Sequence, residues 1–118
     1  MHIAEIIIVL VALLQSYFMV LEMYFWDKPY GRKVFGNKPE FATATRVLAA
    51  NQGLYNGFLA AGLVWGLSLG AEGQPVKLFF LSCVFVAGLY GGFSASRKIL
   101  WVQALPALLG LLAIWLQV

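Results

Sequence analysis

The chain is short of nearly every group that does chemistry. Its 118 residues include one cysteine, Cys83, and one histidine, His2. A single cysteine excludes an intramolecular disulfide, and in the middle of an apolar run it reads as a small buried filler. With only those two soft ligands no metal motif can be written, because zinc sites draw three or four ligands from such residues. His2, at the start of the first apolar run, reads as solvated. There is no Ser-His-Asp set and no glycine-rich phosphate loop, and no cofactor is expected. Charge is equally scarce: 11% of residues are charged against 62% hydrophobic, far from the balance of a soluble domain. Low-complexity segments and internal repeats are absent too. The length allows one domain, residues 1–118.

What is present is four apolar runs, about 3–26, 43–69, 76–93 and 100–116. Each approaches the about 20 residues that cross a bilayer core as a helix. The few charges are unevenly placed. Lys28, Arg32, Lys33, Lys38 and Arg46 lie in the first gap, Arg97 and Lys98 in the third, and Lys77 alone in the second. The positive-inside rule then predicts an all-α, four-span membrane bundle with loops one and three cytoplasmic and both termini outside. Trp26 and Trp101 fall at inner ends of runs and Trp65 and Trp115 toward outer ends, as interfacial belts require. The net charge of +3 follows from this topology, and no nucleic-acid partner is expected. The first run is not expected to be a signal peptide, since it lacks a basic leader and carries Glu5 and Glu22.

Local signals mark the breaks. Lys28-Pro29-Tyr30-Gly31 ends the first run, and loop one continues to a helix start at Asn37 or Lys38 before Pro39. That second helix runs to Gly70–Gly73, and Gln74-Pro75 opens the third. Pro106 frees the carbonyl of Val102 and predicts a kink in the fourth. Small residues recur every fourth position: Ala49, Gly53, Gly57 and Ala61; Gly62, Gly66 and Gly70; Gly88, Gly92 and Ser96. Such ladders let helix backbones approach closely. Two on one helix exceed what one neighbour uses, which points to a homo-oligomer; tight packing inside a single bundle is the alternative.

The polar residues within the runs gather at one depth. Glu22 lies four residues from Trp26, roughly 6 Å inside the boundary. Asn51, Gln52, Tyr55 and Asn56 follow Arg46, Gln103 lies just inside the fourth run, and Tyr90 precedes Arg97 by seven residues. An ionisable group within a span normally faces a partner or a water-filled cavity. Two roles fit Glu22: a proton carrier in a binding or catalytic site, or a structural carboxyl bonded to Arg46 or Asn51. Gln15, seven residues earlier, shares its helix face. Gln52 and Asn56 stack on one face of the second helix, Asn51 and Tyr55 on the next. Gln52 reads rather as interhelical glue, Asn51 and Asn56 rather as ligand-facing.

Two resemblances attach to these residues. Leu21-Glu22-Met23-Tyr24-Phe25-Trp26 and the stretch from Asn51-Gln52-Gly53-Leu54 to Phe58-Leu59-Ala60 look like a small bacterial membrane family catalogued as domain of unknown function 1304. This covers the whole chain, implies a multi-pass protein of the bacterial inner membrane and supplies no activity. Arg46-Val47-Leu48-Ala49-Ala50-Asn51-Gln52 resembles span two of the membrane-associated proteins of eicosanoid and glutathione metabolism, the lipoxygenase-activating-protein-like members above all. That resemblance implies trimers of four-helix protomers binding ligands between protomers. The Arg, Asn and Glu that hold glutathione in that family are replaced here by Ala49, Gly53 and Asn56, so its glutathione site is not carried over. Styrene oxide isomerase shares the general plan, but its haem-ligating His has no counterpart, so haem is not expected.

The leading expectation is therefore a homo-oligomer, a trimer by resemblance, that binds a lipophilic small molecule in an inner-leaflet pocket between protomers. It either transforms that molecule by acid–base chemistry at Glu22 or only holds it. Asn51, Gln52 and Asn56 would orient a polar group, Tyr55 and Tyr90 would donate, and Gln103 would complete the layer. Two alternatives remain at this stage: a proton-coupled exporter of the four-span multidrug type, and a non-catalytic accessory subunit. The exporter type wants a mid-membrane Glu and little charge bias, neither of which this chain has.

Overall fold

All four prolines sit in the first turn of a helix, where a missing N–H leaves no bond unmade. They punctuate the computed structural model, which describes residues 2–118 and is helical throughout. Helix α1 spans Ile3–Val20 and continues without interruption into a π turn, Leu21–Phe25. Helices α2 (Pro29–Phe35) and α3 (Pro39–Ala44) follow, then α4 (Arg46–Ser68). A 3₁₀ turn at Gly70–Gly73 leads into α5 (Gln74–Ser94). A second π turn, Leu100–Ala104, leads into α6 (Leu105–Trp115).

Three local readings of the sequence change. The segment expected as loop one folds into α2, because Lys28 is extended and Pro29 then starts a helix; the helix start expected before Pro39 is found, with Lys38 extended ahead of α3. The helix that starts at Pro39 stops at Thr45, whose hydroxyl donates to Phe41 O at 2.7 Å, and α4 begins one residue later. The irregularity forecast at Pro106 falls one turn earlier, as the π turn that Leu105 N–H closes onto Leu100 O.

The chain divides into two compact units. The first contains Met1–Leu14 and Leu59–Val118, the second Gln15–Phe58. In the first, Ile8, Val11 and Ala12 of α1 recur at helical spacing and pack with Leu63, Leu81, Val84, Ala107 and Ile114. At Gly88 α5 lies close against the second π turn: a Cβ built there would be 2.4 Å from the backbone N of Ala104. In the second unit, Trp26 Nε1 donates to Thr45 Oγ1 at 3.0 Å and its ring meets Phe35 at 4.9 Å, holding the start of α4 and the end of α2.

Among the described residues two helices are long and apolar enough to cross a membrane: Ile3–Phe25, with mean hydropathy 2.3, and Gly70–Ser94, with 1.8. Leu100–Trp115 is apolar but shorter. Helix α4 has the length, but Asn51, Gln52, Asn56 and its glycines dilute its apolar character. Only 28% of each spanning window is buried, and Leu13, Val64, Phe79 and Val86 are among the large apolar residues left exposed.

The small-residue ladders of α4 are occupied within the chain at four glycines. Gly53 and Gly57 face Met19 and Met23, while Gly62 and Gly66 face Phe80 and Lys77. Ala61 of the first ladder is exposed, and a Cβ at Gly70 of the second would meet open space.

Gly88→Ala should be destabilising by about 1–3 kcal/mol, the usual cost of overpacking a close contact. Thermal or denaturant unfolding in detergent reads the loss, and an unchanged midpoint would contradict the packing of α5 on the second π turn.

Candidate functional site

Within the second unit, one carboxyl organises the polar residues. Glu22 sits on the π turn at the end of α1 and is 4% exposed. A buried carboxyl needs donors to offset its lost hydration. Two amides from α4 supply them: Gln52 Nε2 donates to Oε2 at 2.8 Å, and Asn56 Nδ2 to Oε1 at 2.5 Å. Their spacing of four residues lets one helix face reach both oxygens.

Gly53 lies between these amides and makes the reach possible. A Cβ there would come within 2.8 Å of Met23 Cγ, 3.0 Å of Glu22 Cβ and 3.1 Å of Met19 O. One turn on, a Cβ at Gly57 would meet Met19 Sδ at 2.6 Å. Met19 and Met23 thus fill the apolar side of the cluster. Thioethers on an unbranched stem suit such a role, since they fill irregular space. Nothing in their sequence spacing had singled them out; the glycines facing them on another helix identify them.

The other candidates are distributed differently. Asn51 is exposed, as is Tyr55 on the same neighbouring face of α4, and Arg46 is exposed at the start of that helix. The partners of Glu22 are therefore the amides of Gln52 and Asn56 rather than Arg46 or Asn51. The weighting between glue and ligand contact also shifts, because Gln52 and Asn56 act as a pair. Gln15, on α1, is buried. Tyr90 and Gln103 belong to the first unit: Tyr90 is 77% exposed on α5, and Gln103 is buried on the second π turn.

Chemically the cluster is an acceptor edge clamped by two amides. Each carboxyl oxygen takes one amide hydrogen and keeps capacity for another donor, and each amide retains a carbonyl oxygen and a second N–H. Gln52 is exposed while Glu22 and Asn56 are buried, so the cluster opens on the Gln52 side. Leu48, four residues before Gln52 on its face, is 72% exposed, and Tyr55, on the neighbouring face, is 54% exposed. Among the described residues no group of three or more His, Cys, Asp and Glu could hold a metal ion.

A helical protein with two membrane-length apolar helices and a buried carboxyl–amide cluster is the class these features define. The chain belongs to the family described as Protein of unknown function (DUF1304), which matches residues 9–115. It is also similar to "Uncharacterized protein YpaA" of Lactococcus lactis subsp. lactis (strain IL1403), with 28% identity over 110 residues and 92% of each chain covered. No solved structure matches.

A double-mutant cycle on Glu22→Gln and Asn56→Leu should give a coupling of about 1 kcal/mol, within the range for hydrogen bonds between helices in a bilayer. Unfolding in mixed micelles measures it, and additive effects would mean the two side chains do not interact.

Proposed function

We propose that this protein crosses the bacterial inner membrane four times, with both termini outside, and holds a lipophilic small molecule by its polar group at Glu22, Gln52 and Asn56. The observation that carries the reading is a buried carboxyl clamped by two amides whose open side meets an exposed apolar surface. A ligand hydroxyl or amine would donate to the carboxyl, Gln52 would turn to meet it, and the apolar body would lie along Leu48 and Tyr55. Glu22 is the one titratable group in the cluster, so any transformation there is proton transfer.

The low burial of the two longest apolar helices supports the membrane setting, since a core helix of a soluble domain hides most of its surface. The excess of Lys and Arg in the segments around α2, α3 and residues 97–98 supports the orientation. In the trimer that the span-two resemblance implies, the open side of the cluster faces a neighbouring copy, and the ligand is enclosed between protomers.

Native mass spectrometry in mild detergent, with co-purifying small molecules retained, tests the reading. The expected result is a trimer carrying a stoichiometric lipophilic molecule, lost at least tenfold on Glu22→Gln. Ser82→Ala should leave occupancy unchanged, because that hydroxyl donates only to Leu78 O of its own helix. A ligand retained by Glu22→Gln would sink the site, and a liganded monomer would sink the enclosure between protomers.

A further inference from the structure

We propose that a cavity within the first unit binds a phosphoethanolamine head group, with its phosphate on Lys77 and its ammonium toward Glu5. The inference stands on residues separate from the Glu22 cluster; only the lipid source of the ligand rests on the membrane reading above.

Lys77 is the odd charge of the chain, the lone basic residue between the second and third apolar runs, and it is 7% exposed. Its stem lies on bare backbone: a Cβ at Gly66 would be 2.9 Å from Lys77 Cγ and 3.1 Å from Lys77 N. Burying the stem is ordinary for lysine, but burying its head requires acceptors. Nζ reaches Gly70 O at 3.4 Å, a long bond for a group with three donors. Lys77 lines a half-open pocket of about 270 Å³.

The walls of that pocket carry both signs. Gln74, the first residue of α5, and Gln117 add neutral polar side chains to the wall. Glu5, in the first turn of α1, and His2 line another wall. The hydrogen bond of Lys77 goes to Gly70 O rather than to Glu5, which leaves the carboxyl available to a cation. Ile8 and Ile114 supply an apolar floor. A simple anion would meet Lys77 favourably and Glu5 unfavourably. A zwitterion satisfies both, and the volume exceeds what a lone phosphate needs. In the proposed orientation this end of the bundle lies at the outer surface, among lipid head groups.

The test is native mass spectrometry of the full chain titrated with phosphatidylethanolamine or phosphatidylglycerol, and calorimetry with free phosphoethanolamine. One phosphatidylethanolamine per chain should bind at least tenfold more tightly than phosphatidylglycerol. Lys77→Met should lose that binding tenfold or more, Lys77→Arg should keep it within about threefold, and Glu5→Gln should remove the preference over phosphatidylglycerol. Circular dichroism checks that each variant is folded. Free phosphoethanolamine that binds and competes would show that the head group suffices; tight binding by the lipid alone would make the lipid the ligand. Equal binding of both lipids, with no response to Lys77→Met or Glu5→Gln and no binding of free phosphoethanolamine, would overturn the proposal while leaving the Glu22 site untouched.

Discussion

Where α4 lies against the end of α1, Gly53 and Gly57 present bare backbone to Met19, Met23 and the stem of Glu22, and that closeness brings two amides to one carboxyl. Any side chain at Gly53 would push Glu22 away from its donors and leave a buried carboxyl without compensation. The first unit uses the same device. Gly66 admits the stem of Lys77, and Gly88 admits the backbone of Ala104. Small residues stand in for large apolar contacts: the cluster of buried apolar residues in the first unit includes Val11 and Ala12 on α1 and Val84 on α5.

That economy leaves apolar surface exposed on the longest helices, a surface that a lipid environment would cover. It also makes the polar side chains conspicuous. A helix facing hydrocarbon has no use for Glu22, Gln52 and Asn56 unless they face each other, and they do. Membership of the DUF1304 family fixes the kinship of the chain and leaves its chemistry to be argued from these contacts.

Several features were legible because they are local. Pro39 and Pro75 marked the starts of α3 and α5, whereas Pro29 read as a break and Pro106 as a kink although each opens a helix, and the four-residue spacing put Gln52 and Asn56 on one helix face before any partner was known. Features that depend on a second segment were not legible. The stop at Thr45 depends on a hydroxyl also engaged by Trp26, nineteen residues earlier. The glycine ladders did not reveal which helix each one faces. Lys77 looked like a loop charge because its burial comes from Gly66, on another helix.

By itself the sequence determined that the chain is helical, that helices start at Pro39 and near Pro75, and that Glu22 lies well inside the first apolar run, since these follow from backbone preference and hydropathy over a few residues. Tertiary structure decided which donors that carboxyl meets, Gln52 and Asn56 rather than Arg46 or Asn51. It also decided that α4's glycines are occupied within the chain and that Lys77 is buried beside a cavity. Hydrogen bonds and close backbone approach join residues 30 or more positions apart, and no periodicity along one helix specifies the partner on another.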